Sequence, residues 1–262
     1  MDPLESVLLF FATLGVGLVS ALLGLGGGIF LVPLLLLWQG LPPREAAALG
    51  LVCTLATSGA GSVALDRAAL ADLPVVVTLE LSAVVGSSLG AGLLAGLLPA
   101  GLVVSLFALV VAWASWRMFG KARRMTPRLA SLEIPEYTPQ NMGLGMLGTL
   151  GAGLASGLLG IGGGPIKVSV MTEVVRLPLK VALANSNLMV GITAATAAAI
   201  YYQGGWLRLG LLAPCAAGIS LGAYAGGRLA PRANNRLLAF GFSGVLLLLA
   251  LRLAWKGIEL SA

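Results

Sequence analysis

The sequence predicts an all-α polytopic membrane protein made of two inverted-topology repeats. Each repeat is expected to hold a glycine-broken hairpin or re-entrant helix pair plus three spanning helices. The first of three supporting observations is composition. Of 262 residues, 58% are hydrophobic and only 10% are charged, with a mean hydropathy of +0.98; a soluble domain carries roughly 25% charge. The apolar residues come in runs of about 20, long enough to cross a hydrocarbon core, and the alternating ten-residue stretches of a β-barrel do not occur. The second is a nine-residue stretch found twice, at Ser20–Gly28 and Ser156–Gly164, with seven of the nine positions identical. The third is the distribution of loop charge, which distinguishes inverted from parallel repeats.

In order, the first apolar run extends from Leu4 to Leu23 and breaks at Gly24–Gly28. Successive glycines cost a continuous helix about 1 kcal/mol each against alanine, so an open backbone is expected there. A short run, Ile29–Trp38, stops at the breaker cluster Gln39–Pro43. Two spans follow, Ala46–Leu65 and Val75–Leu97, the second carrying Glu80 and a small-residue face at Gly86, Gly90 and Gly92. After Pro99 comes Leu102–Trp116, with Trp113 and Trp116 placed as an interfacial belt. The polar stretch 117–140 holds Arg117, Lys121, Arg123, Arg124 and Arg128 and reads as a linker between repeats 1–116 and 141–262. The second half repeats the plan: Met142–Leu159, a break at Gly160–Gly164, Pro165–Val175, the breaker Leu177-Pro178, then Val181–Tyr202, Leu207–Leu229 and Leu237–Trp255. A constant shift of 136 residues aligns the halves, pairing Thr57 with Thr193, Gly86 with Gly222 and Gly90 with Gly226.

If each broken segment crossed once, each half would have four crossings and the repeats would be parallel. If each folds back at its glycines, the number is odd and the repeats are inverted. With the basic linker in the cytoplasm, inversion places 11 Lys and Arg inside and 4 outside, against 9 and 6 for the parallel arrangement; the positive-inside bias selects inversion. The run after each glycine break is about a dozen residues, roughly 18 Å of helix, which reaches about halfway across. Half-helices duplicated with inverted topology are a recurring transporter plan and put the two breaks near mid-depth.

Freed backbone N–H groups at such a break need partners, and a helix N-terminus offers donors and positive dipole to an anion. Gly26, Gly27, Gly28, Gly162, Gly163 and Gly164 are therefore candidate anion-binding residues; tight helix packing is the competing use of the same glycines. Lys167 lies three residues beyond Gly164, and an intramembrane ammonium is a functional candidate. Asn185 and Asn187 add neutral donors, and the repeat-equivalent Thr57 and Thr193 add hydroxyls. Glu80 reads as a proton carrier, as the partner of a buried base, or as a carboxylate near the headgroups. Glu173 and Arg176 read as an exposed pair. The first half has Leu31 and Leu49 where the second has Lys167 and Asn185, so an unequal site nearer the second break is expected.

The net charge of +6 reads as loop charge that orients the chain, with no nucleic-acid partner expected. Cys53 and Cys215 lack CxxC spacing and read as packed thiols; histidine is absent. No cofactor and no metal site are expected. The N-terminal run lacks a basic leader and reads as part of the mature protein.

The two Gly-x-Gly-Gly-Gly motifs, each followed by a short apolar run, a Leu-Pro element and a Thr- or Asn-bearing span, resemble the TauE/SafE family of sulfite exporters and related anion permeases. The resemblance covers nearly the whole chain. It implies transport of small sulfur-containing anions such as sulfite, sulfoacetate or thiosulfate, location in the cell (inner) membrane, and ion coupling, with coupling protons as the candidate. It carries over the motif glycines and Asn185. The expected function is thus a secondary transporter and not an enzyme. The other readings are a permease for a different small solute, an intramembrane enzyme, which lacks a catalytic set here, and a non-transporting membrane subunit.

Overall fold

The computed structural model describes residues 3–23, 26–65, 71–124, 136–229 and 235–260. Among these there are ten helices and no strand. The first five are α1 (Pro3–Leu23), α2 (Gly28–Leu37), α3 (Pro43–Leu65), α4 (Leu73–Leu89) and α5 (Ala100–Arg124). The second five are α6 (Met142–Leu159), α7 (Gly164–Glu173), α8 (Leu179–Gln203), α9 (Leu209–Leu229) and α10 (Asn235–Glu259). Beyond Leu89, α4 continues through a π-helical turn, Gly90–Leu94, and a last helical turn, Ala95–Leu97, as one apolar span. Seven helices are long and apolar enough to cross a membrane: α1, α4, α5, α6, α8, α9 and α10. Outward-facing side chains along them are apolar, including Phe11, Leu81, Leu109, Leu147 and Leu248, as expected where the surrounding solvent is lipid.

The expected elements are present with shifted ends. The largest shift is in α5, which stays helical to Arg124 and so runs into the stretch read as a linker. Lys and Arg are good helix formers, and the first proline after Pro99 is Pro127. Arg67, Arg128 and Arg232, used in the charge argument, lie outside the described residues, as do Gly24 and Leu25 of the first break.

The halves exchange partners. α1 packs on α9, and α6 packs on α4, through glycines too close for any side chain. A methyl group at Gly17 would overlap the Ile219 carbonyl oxygen, and one at Gly153, its repeat equivalent, would overlap that of Ala83. Gly222 meets Leu14 and Gly226 meets Leu18, as Gly86 meets Leu150 and Gly90 meets Leu154. The contacts advance together along both chains, so the helices of each pair run in the same direction. In lipid, such small-residue contacts replace the hydrophobic drive for helix association.

The equivalent helices α3 and α8 pack with opposite chain directions. Glu45, at the start of α3, pairs with Arg208, just beyond α8. At the other end, the backbone N–H of Asp72, past α3, donates to Asn185 Oδ1 near the start of α8 at 2.8 Å. The second broken pair also returns to its starting end: Gln140 N donates to Val175 O at 3.0 Å, and Asn141 Nδ2 reaches Val174 O at 3.4 Å. The entry to α6 and the exit from α7 therefore lie side by side.

Candidate functional site

The two glycine breaks meet between the middles of α3 and α8. α6 ends in Gly160 with φ +78°, and Gly162 and Gly163 follow at +75° and +71°, in the left-handed region that favours glycine. Gly26, equivalent to Gly162, has φ +79°. The breaks are not identical, since Gly27 is right-handed at φ −66° where its equivalent Gly163 is left-handed. A methyl group at Gly28 would overlap Gly160 O and lie 2.9 Å from Ile161 Cα; one at Gly160 would lie 2.5 Å from Ala47 Cα. The packing use of these glycines is thus plain. α2 and α7 both begin here and have ten residues each, about 15 Å of helix. At the start of α2 the N–H groups of Phe30 and Leu31 donate to Gly27 O, and that of Gly27 donates to Thr57 Oγ1 at 3.3 Å. At the start of α7 Lys167 N donates to Gly163 O and Pro165 has no N–H, so Gly28, Ile29, Gly164 and Ile166 carry the N–H groups without a partner within their helix.

Lys167 is fully buried, and its ammonium is engaged. It donates to Glu80 Oε2 at 2.9 Å and to Met189 O at 3.0 Å, and it also contacts Thr193 Oγ1. Thr193 in turn bonds Glu80 Oε1. Three of the candidate residues therefore form one cluster, in which Glu80 is the ion partner of the buried Lys167 ammonium. The cluster links α4 of the first half with α7 and α8 of the second. Its repeat equivalents are Leu31, Ala216 and Thr57, so it exists once.

The other expected residues are more dispersed. Thr57 caps the first break by accepting from Gly27 and donates to Thr54 O at 2.9 Å. Asn187 and Ser58 bind reciprocally across α3 and α8. Asn185 is fully buried. Its Oδ1 holds Asp72, and its Nδ2 has no partner; its neighbour Ser186 donates to Gly164 O at 3.3 Å. Asp72 also accepts from Tyr137 at 3.0 Å, and partial burial, then the Asp72 contact, raise the Tyr137 phenol above its ordinary pKa. Glu173 pairs with Arg117 of α5 rather than with Arg176, because Arg176 takes a left-handed backbone (φ +65°) after the helix end.

Two residues carry more than the sequence reading assigned them. Thr54 and Ser156 are fully buried, and neither hydroxyl has a partner. Thr54 touches the Gly28 and Gly162 positions, and Ser156 the Gly163 position. Ser156 opens the second glycine motif and Thr54 lies one turn before Thr57, the only signals the sequence offered. Cys53 and Cys215 are free, buried thiols. No group of three or more His, Cys, Asp or Glu close enough to hold a metal occurs among the described residues. A small cleft between α2, α5 and the end of α6 is lined by apolar residues such as Val32, Val104, Phe107 and Leu159; it offers an anion nothing.

Lipid-facing helices, two broken helices crossing in the interior and one sealed ion pair define a multi-pass membrane transporter. The chain belongs to the sulfite exporter TauE/SafE family, whose model matches residues 9–253. It is 27% identical over 276 residues to the probable membrane transporter protein YunE of Bacillus subtilis (strain 168), covering 96% of this chain and 98% of that one. No solved structure matches it.

Proposed function

We propose that the protein is a secondary transporter moving small sulfur-containing oxyanions, of the sulfite, sulfoacetate or thiosulfate type, across the cell (inner) membrane. The observation that carries this reading is the meeting of the two breaks. Two half-helices start at one place, between α3 and α8, and direct first-turn N–H groups and the positive ends of their dipoles there. The family supports a sulfur oxyanion as the cargo.

In this reading the repeats 1–116 and 141–262 lie inverted across the bilayer, and segment 117–140, its first part helical, faces the cytoplasm. The opposed directions of α3 and α8 and the return of α7 to the entry of α6 support that arrangement. Gly26 to Gly28 and Gly162 to Gly164 frame the anion. Thr57, Asn185 and Asn187 shape its surroundings, while the Lys167 ammonium, balanced by Glu80 and steadied by Thr193, sets the local potential. Protonation of Glu80 would release that positive charge towards an anion, so anion and proton would bind together.

Proteoliposomes holding the purified protein test this. Flux of at least one of the three anions, accelerated by a proton gradient, is expected; absence of flux for all three overturns the reading.

A further inference from the structure

A buried hydroxyl on a helix ordinarily donates to the carbonyl three or four residues back. The buried Thr13, Ser20, Thr57, Ser82, Thr149 and Ser243 all do so here. Thr54 and Ser156 do not, although both are fully buried. Leaving such a group unsatisfied is costly, and native proteins seldom do it without a reason. Both exceptions stand at the crossing of the breaks. Thr54 Oγ1 lies 2.7 Å from where a Gly28 Cβ would be, and Ser156 Cβ lies 3.4 Å from the same point on Gly163, the residue that caps α7. The repeat equivalents mark this as a local feature: Ser20 gives its hydroxyl to Val16 O at 2.6 Å, and Val190 stands where Thr54 does.

We propose that Thr54 and Ser156 are direct anion ligands. The Thr54 hydroxyl at the start of α2 and the Ser156 hydroxyl beside the start of α7 join the Gly164 and Ile166 N–H groups, Pro165 having none, in a neutral donor set at the crossing, suited to a small anion bearing several acceptor oxygens on one sulfur. Lys167 does not touch the anion in this arrangement, because its three donor positions are taken by Glu80, Met189 and Thr193. The inference rests on the anion-transport reading and specifies which side chains do the binding.

The experiment uses the full chain in detergent. Its melting temperature is followed against sulfite, thiosulfate and sulfoacetate, with chloride as the ionic-strength control, for wild type, Thr54→Val, Ser156→Ala and Thr54→Ser. A hydroxyl bond to a charged group corresponds to about a tenfold or greater affinity change. The expected result is that Thr54→Val and Ser156→Ala each weaken the stabilising anion about tenfold, melt no lower than wild type without it, and that Thr54→Ser retains affinity. Unchanged affinity in either folded variant overturns that residue's role. Failure of both to fold also overturns the proposal, because an unpartnered hydroxyl contributes nothing to lose. A wild type that no anion stabilises, and that moves none in proteoliposomes, removes the transport reading itself; binding by wild type with indifferent variants removes only this inference.

Discussion

The buried pair of Lys167 and Glu80 permits a quantitative test. Its side chains are 0% and 6% exposed with N and O 2.9 Å apart, so neither charge is relieved by solvent. Removing one partner of such a pair typically costs about 3–5 kcal/mol, because a desolvated charge is left alone, whereas replacing both by groups of similar volume is often neutral or stabilising. Lys167→Met and Glu80→Gln should therefore each lose about 3–5 kcal/mol, and the double variant less than either. The coupling energy should therefore exceed about 3 kcal/mol in magnitude, against at most about 0.5 kcal/mol for independent sites. Unfolding by SDS titration in mixed micelles, run on all four proteins, reads it. Glu80→Gln leaves an unpaired ammonium beside the crossing, so its stability should become strongly dependent on added sulfite. Additive losses in the double variant, with no such dependence, would refute the reasoning.

Gly28→Ala or Gly160→Ala forces a methyl group into the facing backbone and should abolish the folded, monodisperse protein on gel filtration. Gly15→Ala, with nothing within 4 Å of the added methyl, should leave folding intact and raise stability by up to about 1 kcal/mol. The Arg117–Glu173 pair is about half exposed, so Arg117→Ala should change stability by no more than about 1 kcal/mol, well below the loss at the buried pair. With Cys53 and Cys215 replaced by serine, a cysteine at Glu136 should react with an impermeant thiol reagent only from the cytoplasmic side, and one at Gly205 only from outside. Labelling of both from the same side would overturn the inverted topology.

Much of the fold was legible because it rests on patterns that survive in one dimension. Run length and polarity mark Leu73–Leu97, Met142–Leu159 and Leu179–Gln203 as spans, and the repeat of Ser20–Gly28 at Ser156–Gly164 marks both breaks. α3 was legible as the apolar run Ala46–Leu65 in spite of Thr54, Thr57 and Ser58, and its equivalence to α8 agrees with that. The partner exchange between halves was hidden, because Gly86 and Gly153 announce close packing without naming what they pack against. The site was legible in part. Lys167, Glu80 and Thr193 stood out as polar groups in apolar runs, but their meeting depends on α4 inserting beside α7 and α8 of the other half, which no local pattern encodes. Thr54 and Ser156 were visible only as two hydroxyls among many, since a missing partner is a property of three dimensions.

In the proposed transporter a sulfur oxyanion sits where the two glycine breaks meet. An experimental structure of the protein in saturating sulfite tests it most directly. Density for one small anion is expected at the crossing, within hydrogen-bonding distance of Thr54 and Ser156 and beside the start of α7. Density for the anion elsewhere in the bundle, with the crossing still closed on itself, would contradict it.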